Sequence, residues 1–496
     1  METIAEYIKK GRPDAWRAEL RKSMKAKERT SLERAVMPEQ DPNVRNKNIE
    51  EVNFGITEEM AVVESHRCLD CPDPTCTIGC PVGIDIPHFI KKIESKDFLG
   101  AAAVIKLTNA LPAVCGRVCP QEKQCELQCF YTQKLHKPAI AIGHLERFAA
   151  DYERNSGKMS IPAIAESNGI KVAVVGSGPA GLAAAGDLAK MGYDVTVFEA
   201  LHEIGGVLKY GIPEFRLPND IVDVEIENMR KMGVKFRTNF IVGKTASFED
   251  LRAQGYQAFF VGSGAGLPKF MNIPGENFNG IFSSNEYLTR INLMKAADNN
   301  FDTPVLEGKN VAVVGGGNTA MDSVRTSKRL GAKRSIIIYR RSIEEMPARV
   351  EEVHHAQAEE IEFMNLHNPV EYFADENGRV NRMRVQKMEL GEPDASGRRR
   401  PIPMEGSEFD IDVDLVVVAV GVSPNPIVPA SLKDLKMTDW QTIVVDKDSM
   451  QSSIPDIFAG GDIVRGGATV ILAMGDGRNA AVGIHEYIQE KVKTIN

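Results

Sequence analysis

Two hydrophobic periods run along this chain, and the point where one gives way to the other divides it. The first ~50 residues are charged and helix-prone. Residues 51–160 also read as helical, most clearly from Pro87 to Leu107. Between Asn155 and Ser167 the composition turns to Gly, Ser, Pro and Asn, a linker signal. Short, wholly apolar runs follow, the mark of strands buried on both faces. Lys171 to Val175 predicts a strand, Gly176 to Gly181 a turn, Leu182 to Met191 an alanine-rich helix, and Asp194 to Phe198 a second strand. The same order recurs from Asn310: strand VAVVG, a turn at Gly315, helix Met321 to Leu330 and strand Ser335 to Tyr339. Met383 to Phe409 reads as a hairpin with a polar loop at Asp394 to Arg400. The chain closes with strand Ile457 to Ala459, then Gly460-Gly461-Asp462, and a helix from about Val470.

Composition adds limits. A length of 496 residues suits three ordinary domains, and a net charge of −8 gives no reason to expect nucleic acid. The opening METIAEYIKKGRPD lacks the apolar core of a signal peptide. The apolar run around Leu415 to Val420 is too short to span a bilayer. A cytoplasmic protein without membrane contact is expected. In a reducing compartment, clustered cysteines favour metal over disulfides.

The two glycine turns carry specific chemistry. In Gly176-Ser-Gly178-Pro179-Ala180-Gly181, the first glycine makes the tight turn, the second lets a pyrophosphate approach, and the third permits helix–strand packing. Glu199, 18 residues past Gly181 at the end of the second strand, is placed to accept from ribose hydroxyls. In the second turn, Gly315-Gly-Gly317-Asn318-Thr319-Ala320, alanine stands in the third place. The strand after it ends in Tyr339-Arg340-Arg341 with no carboxylate, which favours a 2′-phosphate and so NADP(H). Arg349 in EEMPAR is a further candidate for that phosphate. The first unit is then left to hold FAD. Gly461-Asp462 is placed for the ribitol, and Ala468-Thr469-Val470 opens a helix whose positive end would stabilise an anionic flavin. The expected fold class is α/β. An N-terminal α-helical domain over residues 1–165 precedes two Rossmann-like units, the second inserted in the first (166–290 plus 425–496, and 291–424).

All eight cysteines lie between Cys68 and Cys129, as Cys68-x2-Cys71-x4-Cys76-x3-Cys80-Pro81 and Cys115-x3-Cys119-Pro120-x4-Cys125-x3-Cys129. Paired spacings also suit tetrahedral zinc, the alternative being a zinc-stabilised dinucleotide-binding regulator. A thiol–disulfide centre would sit beside the flavin, where this chain has no cysteine. Prolines after Cys80 and Cys119 echo the ferredoxin run, although x4 before Cys76 departs from it. Iron–sulfur clusters are the expected ligand. His66 and His144 flank this region. His354-His355 reads as part of a solvated helix face, and Arg398 to Arg400 as a plain loop run.

The runs CLDCPDPTCTIGCPVGIDIP, PAVCGRVCP, VAVVGSGPAGL, GGVLKYGIPEFRLP, VVGGGNTAMD and FAGGDIVRGGATVILAMGDGRNAA resemble the glutamate synthase small (beta) subunit family. The module is similar to the N-terminal part of dihydropyrimidine dehydrogenase and to the large subunit of NADH-dependent reduced ferredoxin:NADP oxidoreductase. The resemblance implies one [4Fe–4S] cluster on Cys68, Cys71, Cys76 and Cys129. It implies a second on Cys80, Cys119, Cys125 and a non-cysteine ligand matching Glu146, where dihydropyrimidine dehydrogenase has glutamine; Cys115 is the rival for that place. It also implies that Val207 and Arg216 contact FAD, and Gly206 and Val242 are counted with them as cofactor-binding. The implied activity is electron transfer from NADPH through FAD to the clusters and on to a partner subunit that makes glutamate. The alternative partner is a flavin/[2Fe–2S] subunit of a bifurcating enzyme, with ferredoxin as acceptor. Met1 is followed by Glu2, not by a nucleophilic cysteine, so glutamine hydrolysis is expected of the partner. Hydride transfer depends on position more than on an acid or base, so no catalytic residue is assigned.

Overall fold

The computed structural model describes residues 10–298, 300–395 and 397–495. Most of the N-terminal segment read against a signal peptide lies outside them, as does one residue of the 394–400 loop. The first third is helical, and its expected long helix is broken in two. Ile86–Glu94 and Phe98–Lys106 are separated at Lys96, which takes a left-handed φ of 63°. Asp85 and Asp97 cap the two, accepting from His88 N at 3.3 Å and Gly100 N at 2.9 Å. Each such cap is worth about 1 kcal/mol. The first helix buries Ile86, Phe89, Ile90 and Ile93. Pro112–Val118 and Ile142–Asn155 complete the layer that carries the cysteine loops.

The first dinucleotide unit is a parallel sheet in the order 457–459, 256–261, 171–175, 194–198, 235–237. The second is also parallel, in the order 281–283, 415–418, 310–314, 334–339, 362–365. The chain leaves the first sheet after Val261 and returns to it at Ile457, so the second unit is inserted in the first. Leu267–Pro268 pairs with Val422–Ser423 where the chain crosses between them. The inserted sheet draws its edge strand, Ile281–Ser283, from before residue 291, because a three-residue strand carries too little pattern to read from sequence. The expected hairpin belongs to a four-stranded antiparallel sheet of 367–374, 380–393, 399–403 and 409–412.

One apolar core runs from the helical layer into the first dinucleotide unit, joining Leu111, Val114 and Cys115 to Leu182, Met229 and Met474. The helical layer therefore sits directly on the first unit's helices. Ala113 N donates to buried Glu225 Oε1 at 3.0 Å across that boundary. Burial pushes the Glu225 carboxyl up to about 7.

Candidate functional site

The first cradle is built by close approach of backbones. Gly176 has φ +100°, and a Cβ there would lie 2.5 Å from Gly262 O. A Cβ on Gly181 would run into Gly176 O, so the third glycine is needed for packing. Gly178 differs: a Cβ would meet nothing within 4 Å. It heads the helix Pro179–Lys190, whose first N–H groups have no side-chain cap. Open space before a free helix N-terminus is what a pyrophosphate requires. Pro179 and Ala180 open that helix and are buried. Glu199 is buried and held by Ser177 N and Oγ on Oε2, at 2.9 and 2.6 Å, and by Leu201 N on Oε1 at 2.8 Å. A carboxylate keeps lone pairs beyond these for a ribose.

The rest of the first cradle closes around Gly178. A Cβ on Gly206 would be 2.9 Å from Gly178 Cα, and one on Gly461 would be 3.0 Å from Ala180 Cβ. Val207 follows at the head of a short helix and is 37% exposed. Asp462 accepts from Ala468 N at 3.0 Å, and burial pushes its carboxyl up. Thr469 accepts from Leu472 N at 3.4 Å as the last helix begins at Val470. Val242 lies in the apolar core behind the sheet with Phe198 and Phe248.

Gly178→Ala should leave the fold intact, because φ −68° and ψ 179° suit alanine. The methyl would enter the phosphate space at a cost of about 1–3 kcal/mol. Flavin retained per chain after gel filtration should fall, with an unchanged melting curve. A matched loss of both would mean that Gly178 serves packing alone.

The second cradle repeats the design. A Cβ on Gly315 would collide with Ala419 O, whereas one on Gly317 would meet nothing. Gly317 heads Asn318–Arg329, again without a side-chain cap, and Ala320 is fully buried. Asn318 Oδ1 accepts from Arg349 N at 2.8 Å, and Thr319 O accepts from Ser323 Oγ.

Three arginines do other work than expected. Arg341 is buried, donating to Arg399 O at 2.8 Å and pairing with Asp394 at 2.7 Å, which docks the hairpin loop. Arg349 reaches Gln121 Oε1 at 3.0 Å and Arg117 O at 2.5 Å in the helical layer. Arg216 pairs with Asp322 at 2.7 Å and Glu352 at 3.1 Å, between the two dinucleotide units. Each guanidinium finds a carboxylate or carbonyl that is distant in sequence. Arg340 remains exposed at the strand end, where burial and neighbouring Arg341 and Arg398 hold its pKa below the ordinary value. His355 is also not on a solvated face; it is buried, with Nε2 2.7 Å from Glu39.

The eight cysteines carry no disulfide, and their surroundings sort them into two groups. Burial pushes Cys76 well up, with Cys68, Cys129 and Cys71 as charge neighbours. Cys71 is raised by burial and then by Cys129. Cys80 is pushed up to about 12 by burial and faces Glu146 and Cys115. Cys125 faces Cys80, Glu126 and Glu146 once burial is counted. Cys119 is raised first by a hydrogen bond with Cys115, then by burial. Cys129 thus joins the early cysteines, and Cys80 joins the late ones. Glu146 is buried, its carboxyl pushed up to about 8 by desolvation against an opposing hydrogen bond from Asn109. Buried thiols of this kind become thiolates when a metal replaces the proton. Zinc would need thiolates about 4 Å apart, and no three donors among the described residues converge on a single ion.

The N-terminal segment supplies residues the sequence did not flag. Asp70, between Cys68 and Cys71, has φ 50° and is fully buried. Arg17 and Arg21 each bind its carboxylate at 2.6 Å, and Arg12 donates to its carbonyl at 3.0 Å. Lys91 Nζ donates to Cys68 O at 2.9 Å. Three guanidiniums hold this loop in a left-handed shape unusual for a non-glycine.

The last helix joins the first cradle to the second cysteine group. A Cβ on Gly461 would lie 3.4 Å from Ala473 Cβ of the last helix, and one on Gly475, two residues further along that helix, would be 2.9 Å from Pro81 O. Met474 Sδ lies 3.5 Å from Cys115 Sγ. Two dinucleotide cradles, one sharing a wall with a buried thiol cluster, define a pyridine-nucleotide-dependent oxidoreductase with an iron–sulfur domain. The family model "Dihydroprymidine dehydrogenase domain II, 4Fe-4S cluster" matches residues 45–158, and "Pyridine nucleotide-disulphide oxidoreductase" matches 170–477. These matches imply an iron–sulfur cluster, FAD and a nicotinamide dinucleotide. The glutamate synthase [NADPH] small chain of Azospirillum brasilense is 36% identical over 92% of this chain and 95% of its own length. That of Escherichia coli is 36% identical over 92% of this chain and 98% of its own. The NADP(+)-dependent formate dehydrogenase subunit beta of Moorella thermoacetica is 39% identical over 84% of this chain and 60% of its own. The chain belongs to the glutamate synthase small-chain family of pyridine nucleotide-disulphide oxidoreductases. Among solved structures, FprA of Mycobacterium tuberculosis shares the fold, with a TM-score of 0.56 at 20% identity over 66% of this chain and 86% of its own. No helix among the described residues is long and apolar enough to cross a membrane.

Proposed function

We propose that this chain is the NADPH-oxidising subunit of a cytoplasmic oxidoreductase of glutamate synthase type, passing electrons to a larger partner chain that forms glutamate. The first cradle would hold FAD and the second NADP(H). Cys68, Cys71, Cys76 and Cys129 would hold one [4Fe–4S] cluster; Cys80, Cys119, Cys125 and Glu146 would hold another. The observation that carries this reading is the contact of the last helix with Pro81, next to Cys80, and with Cys115. One rigid element then touches both the flavin cradle and the nearer thiol group. Bound FAD supplies the conversion of a hydride pair into single electrons that such a route requires. The residues of this chain bind, orient and exclude water; none is assigned as an acid or base.

Anaerobic purification with the native partner tests the reading. About eight irons per chain, a flavin band and a large amidotransferase-type chain are expected. A small flavin/[2Fe–2S] partner, or ferredoxin as acceptor, would transfer the chain to a bifurcating assembly. Zinc without iron would overturn the cluster assignment.

The nicotinamide preference has its own test. Arg340→Ala should raise KM for NADPH roughly tenfold and leave that for NADH unchanged, as loss of one charge-assisted hydrogen bond predicts. Arg341→Ala should leave the preference in place, because Asp394 already engages that guanidinium.

A further inference from the structure

Asn109 lies fully buried in the turn between helices 98–106 and 112–118. Its amide orientation is fixed without ambiguity. Leu111 N, a backbone N–H that only donates, sits 2.8 Å from one amide atom, which must be Oδ1. The other, Nδ2, then faces Glu146 Oε1 at 2.7 Å. An amide nitrogen only donates, so Oε1 is committed to it. Glu146 is in turn a charge neighbour of Cys80, Cys119 and Cys125, and Oε2 is the oxygen that Asn109 does not engage. On the far side, Cys115 Sγ lies 3.7 Å from Asn109 Oδ1 and 3.5 Å from Met474 Sδ. The same thiol is in hydrogen-bond contact with Cys119. Glu146 and Cys115, the two rivals for the last place in the second group, are thus both held by one side chain.

We propose that Asn109 is the positioning residue that selects Glu146 over Cys115 as the fourth ligand of the Cys80, Cys119 and Cys125 group. Its N–H turns Oε2 of Glu146 toward that group. Its carbonyl holds Cys115 back as a hydrogen-bonding thiol. The inference rests on the two-cluster reading above and goes beyond it. It says why a carboxylate serves there although a cysteine stands beside it.

Asn109→Asp isolates the effect. It is nearly isosteric and still accepts from Leu111 N, but it sets an acceptor against Glu146 in place of a donor. Holoprotein would be prepared anaerobically and read by electron paramagnetic resonance and iron analysis. Cys115→Ala alone should keep the wild-type spectrum and iron content. Asn109→Asp should change the signal of the second cluster while the first cluster's signal stays constant, as Cys115 takes the vacated place. Asn109→Asp combined with Cys115→Ala should lose about one iron per chain and show a three-iron signal. Asn109→Ala, which removes both contacts without adding charge, is read the same way if the aspartate variant loses its first-cluster signal. Loss of iron in Cys115→Ala alone would overturn the Glu146 assignment itself. Wild-type spectra in every Asn109 variant would overturn the role of Asn109 and leave that assignment standing.

Discussion

Cys119→Ala protein should oxidise NADPH with a two-electron dye at close to the wild-type rate, yet deliver electrons to its one-electron partner at least ~100-fold more slowly. Loss of an outer-shell contact already costs up to about that much at metal sites, and Cys119 is assigned as a ligand. The two readouts separate because the residues around Gly178 and Gly317 make no use of Cys119. That cysteine follows the helix Pro112–Val118, its N–H donating to Cys115 O at 3.1 Å, and is almost fully buried. Removing its thiol leaves the backbone hydrogen bond in place and the donor set one short. Stopped-flow reduction by NADPH, followed separately with dye and with the purified partner, makes the measurement. If both rates fall together, the second cysteine group supports the flavin cradle structurally. If neither falls, it lies off the route.

The features legible in the sequence were those that a single backbone position enforces. Gly176 and Gly181 are required because another backbone lies where a Cβ would be. Neighbouring strands, helix and acid then made the cradle readable. The cysteine spacing pointed to a metal group for a similar reason, since eight thiols in so short a stretch make a ligand set, and the prolines after Cys80 and Cys119 favoured a cluster over zinc. The interleaving of the two groups came only through resemblance, because it depends on Cys129 folding back onto Cys68 and Cys76. Arginines were the weak point. Arg341 looked like a phosphate ligand until its partner proved to be Asp394, 53 residues on. Arg349 is taken by Arg117 O, 232 residues away. A guanidinium is long, always charged and satisfied by whichever carboxylate or carbonyl tertiary folding brings near, so local sequence does not identify its target. The charged N-terminal segment hid its role in the same way. Arg12, Arg17 and Arg21 have meaning only once Asp70 is seen between them.

Arg325→Met should destabilise the protein by about 3–5 kcal/mol near neutral pH, and by clearly less near pH 4. Arg325 is fully buried on the helix Asn318–Arg329 and binds Glu352 and Glu359, the latter at 2.8 Å. Those carboxylates tie three parts of the molecule together. Glu359 also meets Arg45 of the N-terminal segment at 3.0 Å and Arg329 at 2.7 Å. Glu352 also meets Arg216 of the first dinucleotide unit at 3.1 Å. Methionine fills the volume but leaves two buried carboxylates short of a cation, and such half-broken networks cost more than the intact network contributes. The pH dependence follows from the folded-state ionisation. Burial alone would raise both carboxyls; the arginines overcome it, holding Glu352 well below the usual 4.5 and Glu359 at about 2. A carboxyl depressed in the folded state contributes stability that is fully present above its unfolded pKa and is lost as pH falls through the folded one. That window runs from about 4.5 down to about 2. In the variant burial is opposed by one cation fewer, so the two carboxyls protonate at higher pH than in wild type, which relieves the unpaired charge, and the difference from wild type narrows as the pH falls through those raised values. Urea midpoints at pH 7 and pH 4 measure both effects. A gap of equal size at the two values would mean that Arg325 contributes packing rather than charge. No gap at either would mean that Arg45, Arg216 and Arg329 suffice to hold the inserted unit against the other two.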